Sequence, residues 1–147
     1  RRDVELGFMG GIGDTGLRKP LFEKLKDVVT IRPRTQYLKP YAEYVNFVKR
    51  CWSQINVAET GGGGVHLKGR VIESALAGCL LFESAGSTAS KWFEPGTDYV
   101  EYKTTEDVRK WLRVPYFHNV CQTFGNRLRE KVKKYHPRHF WRVVMGD

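Results

Sequence analysis

The chain alternates between short apolar runs and segments whose apolar residues recur every three or four positions. Val4–Met9, VELGFM, is apolar but for Glu5 and Gly7 and runs into Gly10 and Gly11, which predicts a strand ending in a turn. In Leu17–Asp27, LRKPLFEKLKD, the residues Leu17, Leu21, Phe22 and Leu25 share one helical face, and Pro20 lies in the first turn, where proline is tolerated. Val28–Arg32 predicts a short strand. Pro40–Trp52, PYAEYVNFVKRCW, opens on a proline at a first helical position and repeats Tyr41, Tyr44, Val45, Val48 and Trp52 at helical spacing.

Ser53–Ala58 reads as a strand, Gly61–Gly64 as a loop, and Leu67–Ala77 as a helix stopped by Gly78. Cys79–Phe82, CLLF, is the continuous apolar run of a strand covered on both faces. The loop Glu83–Ser90, the turn Trp92–Gly96 and the strand Tyr99–Tyr102 follow. Thr104 and Thr105 are caps for a helix Glu106–Leu112, and a last helix spans about Val120–Tyr135. This order predicts an α/β, Rossmann-like fold: a mostly parallel sheet flanked by helices. Such sheets bind ligands outside the carboxyl ends of their strands. Those ends are Gly10–Gly16, Glu59–His66 and Glu83–Ser90, expected to lie side by side.

The 147 residues suit a single domain over 1–147, with about 115–147 as a C-terminal helical tail. The chain starts on Arg1 and is strand-like almost at once, so it is expected to be cut from a longer polypeptide. No apolar run approaches the ~18 residues of a membrane span. The three cysteines have neither disulfide-framework nor zinc spacing, and the expectation is a cytoplasmic domain without a metal. A formal net charge of +9 attracts polyanions, anionic membrane surfaces or phosphate-bearing small molecules.

The first glycine loop, Gly10–Gly16, contains G-x-G-x-x-G. A dinucleotide fingerprint also needs an acid about 20 residues on, and that region reads TIRPR. Arg32 or Arg34 would suit the 2′-phosphate of NADP, so a nicotinamide reading stays open beside a plain strand-to-helix turn. The third reading is a diphosphate approaching Gly10 and Gly11, with charge from Arg18 or Lys19.

The second glycine loop favours the diphosphate. Four glycines precede a helix whose first turns carry His66, Lys68 and Arg70, and a helix N-terminus attracts an anion by about 0.3–1 kcal/mol. At about 100° per residue, Leu67, Val71, Ile72, Ala75 and Leu76 spread over one half of the helix, while His66, Arg70, Glu73 and Ala77 share the opposite stripe. Arg70 and Glu73 read either as a surface i,i+3 ion pair or as a cation and an acid facing a ligand.

HLKGRVIESALAGCLLFE, followed by KWFEPGTDYVEYKTTEDV and YHPRHFW, resembles the C-terminal nucleotide-sugar-binding half of group 1 glycosyltransferases, especially the spore-maturation-protein-like branch. The likeness covers nearly the whole chain. It implies one of the two facing α/β domains of a GT-B enzyme, with an N-terminal acceptor domain outside this chain. It also implies a UDP- or GDP-sugar donor, an unspecified acceptor and no cofactor. By resemblance Glu73 holds the nucleotide ribose. Gly63, Gly64, Lys68 and Arg70 lie where the diphosphate is held, Gly10, Gly11 and Arg18 form the first phosphate-proximal turn, and Glu83 and Thr88 sit in a strand-end loop bordering the nucleotide.

One departure is plain: many retaining members carry a second glutamate eight residues before the first, and that position is Val65. His66, next to it, is the candidate catalytic substitute. No D-x-D motif occurs, which favours metal-independent transfer. The rival class is a nucleic-acid module, since NRLREKVKKYHPRHFWR mixes basic and aromatic residues; the same run also suits contact with an anionic membrane.

Overall fold

Strands β1 (Val4–Met9), β2 (Val29–Arg32), β3 (Cys51–Asn56), β4 (Leu80–Ser84) and β5 (Val100–Tyr102) pair in the order β2-β1-β3-β4-β5, every pairing parallel. These strands belong to a computed structural model that describes residues 1–12, 16–32, 41–58 and 67–135. Helices α1 (Arg18–Leu25), α2 (Tyr41–Arg50), α3 (Gly69–Ala77), α4 (Thr105–Leu112) and α5 (Phe117–Lys133) flank the sheet, with a short 3-10 turn at Thr88–Lys91. The fold is α/β and Rossmann-like, as the alternation predicts.

Both sheet faces are covered, which is why β4 reads as an unbroken apolar run. Leu80 and Phe82 pack with Leu6, Phe8, Phe22, Leu25 and Val108 on one face, while Leu81 packs with Val71, Ala75 and Leu128 on the other. Helix α5 serves both: Phe117, Cys121 and Phe124 join the first cluster, and Leu128 and Val132 join the second. Gly125 sits at the crossing, where an added Cβ would come within 2.2 Å of the Gly78 carbonyl oxygen. Gly78 itself ends α3 in the left-handed region at φ 67°, so the chain turns there directly into β4. The crossing lies at the amino end of β4, away from the carboxyl ends of the strands.

Among the departures from the pattern, two concern boundaries and one a helix face. The helix predicted through Trp52 stops at Arg50, because Cys51 and Ser53 pair with Val4 and Leu6 of β1. Trp52 therefore lies in a strand and stacks on His118 of α5 at 4.1 Å between ring centres. Leu76, placed on the apolar half of its helix, is 57% exposed. The buried seam of α3 is Val71, Ser74 and Ala75, and Leu76 lies roughly 140° around from Val71. Finally, α5 begins at Phe117, three residues early, after Tyr116 at φ 58°.

Candidate functional site

With strand order 2-1-3-4-5 the connections leave β1 in opposite directions, and the crevice between β1 and β3 is where such a sheet admits a ligand. Met9 ends β1 and Asn56 ends β3. Arg70, in the first turn of α3, spans the two: its Nη2 donates to the Met9 carbonyl at 2.6 Å and its Nη1 to Asn56 Oδ1 at 2.8 Å. The guanidinium also lies 4.3 Å over the Phe8 ring. Room for it comes from Gly10, at φ 150°, where a Cβ would stand 2.9 Å from Nη2. A Cβ at Gly11 would meet no described atom within 4 Å, and the Gly11 carbonyl accepts from Arg18 Nη1 at 3.0 Å.

Beneath Arg70 the network continues inward. Asn56 Nδ2 donates to both oxygens of Glu83, at 3.1 and 2.8 Å, and the Tyr102 hydroxyl donates to the Asn56 carbonyl at 2.8 Å. Glu83 is fully buried. Burial pushes its carboxyl above the ordinary carboxylate range, opposed by hydrogen bonds from Ser87 and Asn56 and by the charges of Arg70 and Lys68. Burial likewise lowers the Arg70 pKa, against the pull of Tyr44, Glu73 and Glu83, yet a guanidinium starts so high that it stays charged. Arg70 Nε is buried without a hydrogen-bond partner.

Among the described residues the start of α3 carries no negative charge. Lys68 is its N-cap in extended backbone, no side chain caps the helix, and no acid lies in its first turn. Lys68 forms no hydrogen bond or ion pair with a described residue. A cleft of about 490 Å³ opens at the same end of the sheet, with Val57, Ala58, Ser84 and Ala85 at the ends of β3 and β4 and with Leu17 and Leu21 at the start of α1 on its walls. Another cavity, of about 410 Å³, lies toward the amino end of β2; two of its charges, Asp27 and Arg109, already pair at 2.6 Å.

Of the residues singled out in sequence, Gly10, Gly11, Arg18, Lys68 and Arg70 gather around the ends of β1 and β3. Glu73 lies on α3, partly buried, where its carboxylate accepts from the Tyr44 hydroxyl of α2 rather than pairing with Arg70. Glu83 is not in a loop: it is the penultimate residue of β4 and faces Asn56. Thr88 is half-buried in the 3-10 turn that follows Ser87. Gly63, Gly64 and His66 lie outside the described residues. Trp92 of the predicted turn is exposed and stands edge-on to Tyr135.

Sequence reasoning missed Asn56 and Tyr44. A polar side chain at the carboxyl end of an otherwise buried strand was the signal for Asn56; Tyr44 looked like one more apolar residue of α2. Part of the basic C-terminal run is also turned inward, since Lys131 pairs with the buried Asp98 and Arg129 has its Nε buried. Among the described residues no group of three His, Cys, Asp or Glu side chains could hold a metal, and no helix is long and apolar enough to cross a membrane.

Residues 18–145 match the model of a family described as glycosyl transferase-like. The chain belongs to that family. No protein with a curated description matches it. Among solved structures, Anabaena Alr3699/HepE in complex with UDP is similar over 90% of this chain and 36% of its own, with 11% identity and a TM-score of 0.61. The same protein in complex with UDP-glucose covers 89% and 36%, with 10% identity and a TM-score of 0.60. AviGT4, described as a glycosyltransferase involved in avilamycin A biosynthesis, covers 97% and 44% with 12% identity and a TM-score of 0.48. The family's domain here therefore spans about a third of the length of HepE and shares its fold over that part.

Proposed function

We propose that this domain grips the nucleotide-diphosphate sugar donor of a glycosyltransferase, as the C-terminal half of a GT-B enzyme. The observation that carries the reading is the corner at the ends of β1 and β3. There a glycine turn, an uncapped helix start and the cations Arg18, Lys68 and Arg70 converge at the switch point of the sheet. Family membership and the HepE complexes with UDP and UDP-glucose support it.

In this reading Gly10, Gly11, Gly63 and Gly64 let the diphosphate approach the backbone, and Arg18 and Lys68 meet its charge while Arg70 adds its own from beneath. Glu73 accepts from the ribose hydroxyls. Thr88, in the 3-10 turn that follows β4, borders the nucleotide. During transfer the bond between the sugar's anomeric carbon and the diphosphate breaks and the acceptor oxygen bonds to that carbon. The leaving diphosphate keeps the electron pair. Fixed cations and the helix N-terminus stabilise the charge developing there, which makes a metal unnecessary. His66 is the candidate catalytic group for the transfer, and the base that activates the acceptor comes from an N-terminal domain outside this chain.

Calorimetric titration with UDP and GDP, beside a single-stranded oligonucleotide, tests the reading. UDP or GDP is expected to bind, and Glu73→Ala to weaken that binding by about 1–3 kcal/mol through the loss of ribose hydrogen bonds. Unchanged affinity in this variant refutes the role of Glu73. Oligonucleotide binding with a steep salt slope and no response to nucleotide refutes the reading as a whole.

A further inference from the structure

The contacts of Asn56 have a polarity that only one kind of side chain satisfies. Its Oδ1 faces the Nη1 of Arg70, which can only donate, and its Nδ2 faces the carboxylate of Glu83, which in its charged form can only accept. Turning the amide over would set N–H against N–H and oxygen against carboxylate, so the hydrogen bonds themselves settle its orientation. An aspartate at this position would repel Glu83, and an apolar residue would take from each charged neighbour its hydrogen bond to position 56. At this length the asparagine amide alone presents one acceptor and one donor.

The far end of this relay is the glycine turn. Arg70, held by Asn56, places its other terminal nitrogen on the Met9 carbonyl immediately before Gly10, and Arg18 engages the carbonyl of Gly11. Carbonyl oxygens directed at an incoming phosphate repel it. Here the two that flank the turn are each engaged by a guanidinium, which both neutralises them and fixes the peptide planes of the turn.

We propose that Asn56 is a positioning residue for the donor diphosphate: it transmits the buried charge of Glu83 to Arg70 and so holds the Met9–Gly11 turn in the shape the diphosphate meets. The inference rests on the donor-binding reading above. It adds that Arg70 acts on the ligand through the turn, under the control of a side chain that touches no ligand.

The relay can be broken and rebuilt with its charge conserved. Asn56→Asp sets two carboxylates face to face. In the double variant Asn56→Asp/Glu83→Gln the new amide donates to the new carboxylate, which still accepts from Arg70, and the net charge returns to that of the parent. Affinities of the 147-residue chain for UDP and for uridine, measured by calorimetry beside melting curves, separate the outcomes. Asn56→Asp is expected to weaken UDP by about tenfold or more, as for the loss of one charge-assisted hydrogen bond, and to leave uridine within about twofold, because uridine has no diphosphate to meet the turn. The double variant is expected to bind UDP within about threefold of the parent.

UDP affinity unchanged in Asn56→Asp, or UDP and uridine weakened alike, overturns the inference. Where Asn56→Asp does not melt cooperatively, the double variant decides: folded with parental UDP affinity it supports the relay, and unfolded or still weak for UDP it overturns it. If the parent binds UDP and loses it on Glu73→Ala while the Asn56 variants bind normally, the inference fails and the donor-binding reading stands. If the parent binds no nucleoside diphosphate, both fall.

Discussion

Removing the guanidinium at the centre of the site is expected to cost stability in a pH-dependent way. Arg70→Ala deletes two hydrogen bonds of 2.6 and 2.8 Å, strands the Asn56 oxygen and the Met9 carbonyl, and takes a compensating charge from the fully buried Glu83. Leaving a buried hydrogen-bond acceptor without its donor costs about 1–3 kcal/mol, and two acceptors are stranded here. Burial of Arg70 is itself unfavourable to its charge, and losing that penalty places the expected cost near the low end, about 3 kcal/mol at neutral pH. For a chain of this size that is a fall in melting temperature of roughly 6–12 °C.

The pH dependence follows from Glu83. Its folded carboxyl titrates above the ordinary range, so the folded state binds its proton more tightly than the unfolded state does. Stability from this group is present at low pH and is lost as pH rises through the folded value. Arg70 is one of the influences holding that value down, so without it the carboxyl climbs further, and each added unit costs about 1.4 kcal/mol above it. Urea unfolding followed by tryptophan fluorescence at about pH 5 and about pH 8 should show the larger loss at the higher pH. Adding Glu83→Gln to Arg70→Ala should flatten that difference. A loss of under about 0.5 kcal/mol, or the same loss at both pH values, would refute the reasoning.

Gly125→Ala should destabilise despite alanine's better helix propensity, worth about 1 kcal/mol. Its Cβ would lie 2.2 Å from the Gly78 carbonyl oxygen and 2.5 Å from the carbonyl carbon, so α5 must move by about 1 Å off the turn that enters β4. A net loss of about 1–3 kcal/mol by urea unfolding is expected, and a variant as stable as the parent would contradict that packing. The cysteines offer a chemical check: burial pushes the thiols of Cys51 and Cys121 up to about 12 and that of Cys79 up to about 11. With almost no thiolate present, the native chain at about pH 8 should resist an alkylating reagent until urea unfolds it, when all three react; prompt labelling of the native form would show that one is accessible.

The order of elements was legible from local periodicity alone. Val4–Met9 has the strand bounds that its apolar run predicts, Gly78 stops α3 where a left-handed residue is needed, and Thr104 caps α4 through a reciprocal box with Asp107. Each of these depends on residues a few positions apart, which a sequence displays directly. The glycine turn at the end of β1 and the cationic start of α3 were visible for the same reason.

What the tertiary structure decided depends on partners far along the chain. Trp52 joined a strand because β1, almost fifty residues earlier, pairs with Cys51 and Ser53. Arg70, read in sequence either as half of a surface ion pair with Glu73 or as a cation facing a ligand, turns inward to an oxygen 61 residues away and to an amide 14 residues away. Glu83, placed by sequence in a loop, lies in a strand because β3 and β5 pair with it on either side, with Asn56, 27 residues before it, in register. Periodicity tells which side of a helix or strand is apolar, whereas the direction of a buried charge is set by whichever donor or acceptor the folded sheet brings within 3 Å. The sequence by itself determined an α/β domain with glycines and cations at the ends of its strands; the packing of β1, β3, β4 and α3 against one another determined which side chains meet there.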